Sequence, residues 1–376
     1  MTTILGQGSY GKVIVRDGNA VKKFCKLSHL IQEYMALKYL KDCSYVVHAK
    51  GVNFHHLELY MELYDCSLRK WLENQMEKDG ANEGDIMKIL RDVLRGLVEL
   101  HDRDLAHGDL KPGNILIKRN PLRAVLGDCG FVSIAKYAKV DRTTTVYRDP
   151  VISYDYTHDM FSFGICFLEM IGNIKIHRQA TYVELKQLIQ DKVYNVEHRK
   201  IIHNLLHSDK DRRPSARTLL YRLFKEDPPV WSRPNFILPS SYSDSEDNVN
   251  VGLRTHQRKF ASTISSVVNE DREYIRVFMK RTAYEFKINR GKKGYGALLS
   301  YIDNHKIELS MYRVYTCVTL MILSSIFGRS GFRQDEVIKL CDHGCNEAYI
   351  YNILEKILSD HIFVNILLTP DSDKKK

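Results

Sequence analysis

The stretch His107-Gly108-Asp109-Leu110-Lys111-Pro112-Gly113-Asn114 constrains this chain more than any other. It sets out a carboxylate, an amine two positions on and a carboxamide three further on. Gly and Pro hold these groups in a turn rather than in a helix or a strand. An apolar series at helical spacing, Ile86, Ile89, Leu90, Val93, Leu94 and Leu97, predicts a core helix that delivers the chain to His107. An acid, an ammonium and an amide gathered on one turn suit the placing of a hydroxyl against a nucleotide phosphate.

A second stretch is adapted to phosphate. Gly6-Gln7-Gly8-Ser9-Tyr10-Gly11-Lys12-Val13 lacks side chains where backbone N–H groups would close over phosphate oxygens. Val13-Ile14-Val15, the turn pair Asp17-Gly18 and Ala20-Val21-Lys22 predict a tight β-hairpin, whereas a dinucleotide fold would follow the glycines with a helix. A helical stretch carries Glu33, Leu57 to Leu63 predicts a strand, and Ser67 opens the next helix. Ile115-Leu116-Ile117 predicts a short strand after the turn. Leu126-Gly127-Asp128-Cys129-Gly130 then brings a second turn aspartate nineteen residues after Asp109.

In this order the motifs resemble those of protein kinases, over about residues 1 to 226. Residues 107 to 114 resemble H-R-D-L-K-x-x-N, the glycines G-x-G-x-x-G-x-V, Ala20-Val21-Lys22 the V-A-I-K lysine motif, and Asp128-Cys129-Gly130 D-F-G. Thr144 to Pro150 resembles the T-x-x-Y-R-x-P of cyclin-dependent kinases, Asp159 to Gly164 D-x-W-S-x-G, and Arg213-Pro214 the late R-P. The resemblance implies ATP and Mg2+ as cofactors, a protein substrate and a two-lobed fold. Gly6, Gly8, Gly11, Val13, Ala20, Met61 and Leu116 would border the nucleotide, with the backbone of Glu62 and Leu63 at the base. Lys22 would orient the α- and β-phosphates and Glu33 would fix Lys22. Asp109 would accept the hydroxyl proton, Lys111 would neutralise developing charge, and Asn114 and Asp128 would hold magnesium. Lys111, two after Asp109, is the pattern of serine/threonine kinases.

Four departures carry consequences. Gly108 replaces the arginine that grips an activation-loop phosphate, and Lys139 lies near the usual activating threonine, so activity is not expected to require loop phosphorylation. Cys129 replaces Phe in a stack that couples the lobes, and Phe161 replaces Trp. Val151 replaces the Glu of A-P-E and leaves Arg213 without its usual partner. Because Lys22, Asp109 and Asp128 are all retained, an enzyme is favoured over the alternative, a nucleotide-holding pseudokinase that regulates another kinase.

The 376 residues give room for two or three domains. A net charge of +10 would suit an acidic partner, but no basic stripe interleaves with aromatics, so nucleic acid is not expected. No membrane span is expected either, since the apolar run Val314 to Phe327 is short and broken by Thr and Ser. Eight cysteines without disulfide or zinc spacing predict a reducing, intracellular setting, cytoplasmic or nuclear. Cys341 and Cys345, with His343 between them, lack a further ligand pair.

Residues 227 to 254, rich in Pro, Ser and acid, predict a linker. Beyond it Met311, Val314, Tyr315, Val318, Met321 and Ile322 predict one apolar helix face, and Ile350, Ile353, Leu354, Ile357 and Leu358 another. Residues 255 to 370 resemble a cyclin box: Ala297 to Asp303 its N-Y-I-D helix, Leu320 to Phe327 its central helix, and Leu354 to Pro370 its last helix. Ile326 stands where cyclins place a lysine that meets the partner kinase. The expected class is α+β, a two-lobed protein kinase fold followed by an all-α cyclin-like domain. A flexible linker of this length spans roughly 30 Å, enough for an intramolecular contact that activates the kinase in cis. Residues 1 to 230 alone would then be much less active than the whole chain.

Overall fold

The computed structural model describes residues 3–8, 11–77, 81–134, 145–149, 155–231, 291–308, 311–327 and 346–368. Ser9, Tyr10, Lys139, Thr144, Pro150, Val151, residues 232–290, the stretch with Cys341, His343 and Cys345, and Pro370 lie outside them. The chain divides into two compact units, Met1–Arg233 with Leu368–Lys376, and Pro234–Leu367.

In the first unit β-branched runs and glycine turns build an antiparallel sheet of β1 (Ile4–Gly8), β2 (Gly11–Arg16), β3 (Asn19–Phe24), β4 (Ala49–Asn53) and β5 (Glu58–Glu62), in the order β1-β2-β3-β5-β4. The predicted hairpin joins β2 to β3 through Asp17 (φ +50°) and Gly18 (φ +71°), the left-handed pair that a two-residue turn needs. Gly11 has φ +152°, and a Cβ there would lie 1.9 Å from the Lys23 carbonyl oxygen, so no other residue fits. The register sets Val13 and Leu59 on either side of Lys22 and Met61 beside Ala20, which puts all five on one face of the sheet.

Helix α1 (Leu27–Tyr39) packs Leu30, Ile31, Met35 and Leu37 into the core. Its N-cap, Lys26, makes no side-chain cap, and its first turn holds no acid. Tertiary contacts therefore decide where it sits.

The larger lobe is helical. Its α2 (Leu68–Met76), α3 (Glu83–His101), α4 (Tyr156–Ile171), α5 (Tyr182–Lys192), α6 (Val196–Leu205) and α7 (Ala216–Phe224) all open on capping side chains: Ser67, Asn82, Asp155, Thr181, Asn195 and Ser215. The apolar series predicted for α3 is buried throughout. Five short strands, β6 (Cys66–Ser67), β7 (Leu105–Ala106), β8 (Ile115–Arg119), β9 (Leu122–Leu126) and β10 (Ser133–Ile134), frame the turn at Asp109 as the sheet β6-β8-β9 and the pair β7-β10.

Arg213 is not left without an acid. Its Nη1 lies 2.5 Å from Asp149 Oδ2 with both side chains fully buried, and its guanidinium carbon sits 5.0 Å from the centre of the Phe161 ring. Asp149, two residues before Val151, takes over the pairing, and Tyr182 Oη donates to its other oxygen at 3.0 Å. The usual glutamate is absent at Val151, and the aspartate at the Ala position of A-P-E supplies the charge instead.

In the second unit, the helices Gly291–His305, Tyr312–Phe327, Glu347–Ser359 and His361–Leu368 bury both predicted apolar faces, Met311 excepted, which stays half-exposed. Tyr301 packs against Tyr315 at 5.7 Å and against Phe363 at 6.2 Å between ring centres. The single last helix expected from Leu354 is two. Asp360 leaves helical geometry (ψ +114°) and accepts the Phe363 N–H at 2.7 Å, so it ends one helix and caps the next. Among the described residues no helix is long and apolar enough to cross a membrane.

Replacing Asp149 by Ala strands a buried guanidinium, and the expected loss of stability is about 3 kcal/mol. Urea unfolding of the full chain measures it; a change below about 0.5 kcal/mol, the range of surface substitutions, would mean that the pair does not hold the segment.

Candidate active site

Strand β3, helix α1 and the turn after β9 each deliver one charged group to a common point. Lys22 Nζ lies 2.6 Å from Glu33 Oε2 and 2.7 Å from Asp128 Oδ1. Lys22 is 8% exposed and Glu33 1%. Burial opposes the charge on Lys22, but Glu33 and then Asp128 more than offset it, so its pKa stands above the ordinary lysine value. Burial pushes the Glu33 carboxyl up against the pull of Lys22. Asp128 is half-buried; burial pushes its carboxyl up, but Lys22 more than offsets this and holds it below the usual carboxylate range, so it stays ionised. Its backbone is left-handed (φ +54°, ψ +58°), a costly conformation for a residue with a side chain, and one that concentrates at functional sites.

The turn from His107 to Asn114 forms a second cluster. Asp109 Oδ2 accepts from Lys111 Nζ at 2.6 Å and from Asn114 Nδ2 at 3.0 Å. The same Nδ2 donates to the Asp109 carbonyl at 2.8 Å. His107, fully buried, joins this cluster to the first. Its Nε2 lies 3.0 Å from the Gly127 carbonyl, which can only accept, and its Nδ1 accepts the Asp109 N–H at 3.3 Å. The proton therefore sits on Nε2.

Asp159, at the start of α4, holds the turn from below. Its two oxygens accept the His107 N–H at 2.7 Å and the Gly108 N–H at 2.9 Å, and His101 Nε2 lies 3.0 Å away. Burial pushes its pKa up, but the bond from His101 and the charges around it hold it below the usual range. Gly108 has φ +82°. An arginine in its place would adopt a left-handed backbone at a cost of about 1–2 kcal/mol, which gives the first departure a backbone reason.

Ahead of Asp149, Tyr147 Oη donates to the buried Glu169 at 2.8 Å, and Arg69 Nη2 reaches the same carboxylate at 2.7 Å. Ile176 N–H also donates to Glu169, at 2.8 Å. Sequence reasoning passed over His107, Asp159 and Glu169 as ligands of the backbone and of the segment. His107 and Asp159 stood within the H-R-D-L-K-x-x-N and D-x-W-S-x-G resemblances without such a role, and the signal of Glu169 was an acid in an apolar helix.

Of the residues expected to border a nucleotide, Gly6 and Gly8 lie in β1, with Gly8 opposite Gly11. Val13, Ala20 and Met61 share the Lys22 face of the sheet, and Leu116 in β8 packs on Gly127 beside Asp128. The Glu62 N–H is already bonded to the His48 carbonyl at 3.1 Å, so that donor is not available to a base. The residues fit a magnesium nucleotide on three counts. A Cβ at Gly6 would meet nothing within 4 Å, so that strand stays open to a phosphate. Asp128 offers an ionised oxygen that could meet a cation. The nitrogen end of the Asn114 amide is committed to Asp109, which turns its carbonyl oxygen toward a hard cation.

Because its folded pKa is depressed, Asp159 contributes stability above the unfolded carboxylate value of about 3.9 and loses it as the pH falls through the folded value. The melting-temperature gap between wild type and Asp159→Asn should therefore be widest at neutral pH and shrink below about pH 4. A gap constant from pH 7 to pH 3 would refute the ionised role.

The family description "protein kinase domain" matches residues 1–228. The chain is similar to the serine/threonine-protein kinase cst-1 of Caenorhabditis elegans, 32% identical over 184 residues, 44% of this chain and 37% of that protein. It is 28% identical to the serine/threonine-protein kinase dst4 of Dictyostelium discoideum, over 59% of this chain and 52% of that one. It is also 28% identical to the membrane-associated tyrosine- and threonine-specific cdc2-inhibitory kinase of Drosophila melanogaster, over 57% of this chain and 45% of that one. The chain thus spans about half or less of the length of these relatives. With the domain matched across more than half of its length and two charge clusters meeting beneath a glycine-edged sheet, the chain belongs to the protein kinase family.

Proposed function

We propose that this chain transfers the γ-phosphoryl group of ATP to serine or threonine hydroxyls of proteins. The observation that carries the reading is Lys22, bonded at once to Glu33 and to Asp128 while Asp109 is held by Lys111 and Asn114. Lys22 would hold the α- and β-phosphates, kept extended toward them by Glu33. Magnesium, held by Asp128 and Asn114, would neutralise charge on the phosphate oxygens. Asp109 would orient the substrate hydroxyl and take its proton, and positioning by Lys111 and Asn114 would do most of the work, so an unusual pKa is not needed. Lys111 would also meet the charge that develops on the transferred group.

A second reading concerns the acceptor. The Drosophila relative is by its name tyrosine- and threonine-specific, so threonine with tyrosine stands beside serine with threonine. The Lys111–Asp109 contact at 2.6 Å favours the latter, because it follows the serine/threonine pattern. The binding-protein alternative draws on Cys129 and Gly108. The seated Lys22–Glu33 pair speaks against it.

Labelled ATP with magnesium and a generic basic protein substrate separates these readings. Incorporation on serine and threonine is expected, and Asp109→Asn should lower it by about 1,000-fold. Label on tyrosine would shift the acceptor, and label that survives Asp109→Asn would come from a contaminant.

The second unit we read as a cyclin-like domain that activates the first in cis, supported by the order of its helices and their apolar faces. A chain ending at Arg233, where the first unit ends, is then expected to be at least about ten-fold less active than the whole chain, a coupling of ordinary allosteric size. Equal activity would end this part of the reading.

A further inference from the structure

Helix α1 carries Glu33, lacks a capping side chain at its start, and ends on the Leu40 N–H bonded to the Ala36 carbonyl, where the chain beyond it is fastened from outside. Part of that fixing is the loop after it, since Glu99 on α3 accepts the Ser44 and Tyr45 N–H groups at 2.8 and 2.9 Å. A second fastening comes from the segment after α7. Arg95 on α3 takes Glu226 at 2.7 Å, while Arg217 holds Asp227 at 2.6 Å and Asp102 at 2.7 Å. These pairs lay the segment along α3 and carry it to Trp231.

The indole ring of Trp231 then meets two residues from different lobes. The Arg103 guanidinium carbon is 4.9 Å from its ring centre, and the Tyr39 ring meets it edge-on, with centroids 6.5 Å apart and planes at 67°. Tyr39 is the last residue of α1, and Arg103 lies in the turn between α3 and β7, four residues before His107. Arg103 is itself nearly buried and is steadied by the Glu99 carbonyl, to which its Nη1 donates at 2.7 Å. Val230, next to Trp231, is 73% exposed, so the indole makes the apolar contact of this segment.

We propose that Trp231 is a positioning residue for phosphoryl transfer: wedged between Tyr39 and Arg103, it ties the end of α1 to the turn that feeds the catalytic loop and so keeps Glu33 against Lys22. This rests on the reading of the chain as a phosphotransferase. The half-exposed ion pairs at Arg95 and Arg217 guide the segment but add little by themselves, whereas aromatic and cation–π contacts that exclude water carry more. A helix as short as α1 draws most of its stability from tertiary packing, so it responds to such a contact at its end.

The test uses the full chain with two variants. Trp231→Leu keeps apolar bulk and removes the aromatic face, while Trp231→Phe keeps a ring. Hydrogen exchange across residues 27–39 is read beside kcat and KM for ATP. Trp231→Leu should speed exchange in α1 and lower kcat, each by about five-fold, the effect of one contact of this kind. KM should change less, α7 should keep its protection, and Trp231→Phe should restore most of both. Unchanged exchange in α1 would overturn the proposal, as would exchange rising equally in every helix with kcat per folded molecule intact. The exchange readout needs no activity, so it tests the wedge even if the wild-type chain transfers no phosphate.

Discussion

An ammonium group taken out of water is tolerated only when anions replace the solvent it has lost. Lys22 has two, and both come from further along the chain: Glu33 eleven residues on, Asp128 more than a hundred. Glu33 is itself buried and would be costly alone, and Asp128 is half-buried. The three groups therefore stabilise one another only when sheet, helix and turn are all in place. This makes the cluster a sensor of the assembled fold: α1 cannot drift without stranding Glu33, and the Asp128 turn cannot relax its left-handed backbone without giving up Lys22.

The catalytic turn is held by a different device. Asp159 binds the backbone N–H groups of His107 and Gly108, and His107 reaches the Gly127 carbonyl just before Asp128. One buried acid and one neutral imidazole thus link the Asp109 cluster to the turn of Asp128. Farther out, Arg213–Asp149 and Arg69–Glu169–Tyr147 fasten the segment that leads away from the site. In both places a buried charge is matched and its remaining lone pairs are occupied, which is the condition for a buried ion pair to hold a shape.

Much of this was legible in the residues. The hairpin at Asp17-Gly18 follows from turn chemistry, α3 from its apolar spacing, and the grouping of Asp109, Lys111 and Asn114 from their closeness on a Gly-Pro turn. Glu33 was identified through the resemblance, as the glutamate of a helical stretch that would pair with Lys22. What was missed had no local signature. Asp149 stands at the Ala position of A-P-E, where the motif carries no acid, so its pairing with Arg213 was not read from the motif. Asp360 sits in a continuous apolar pattern, and its choice to cap rather than continue a helix is a contest between side chain and backbone that periodicity does not register.

By itself the sequence determined which groups are available and which short turns present them: glycines where a Cβ would collide, acids in turns, apolar faces at helical spacing. Only the tertiary structure decided which charges meet. Partners such as Lys22 with Asp128, Arg213 with Asp149 or Trp231 with Tyr39 and Arg103 lie tens to hundreds of residues apart. Their pairing is set by the need to satisfy every charge once water is excluded, a condition that arises only when the whole core closes.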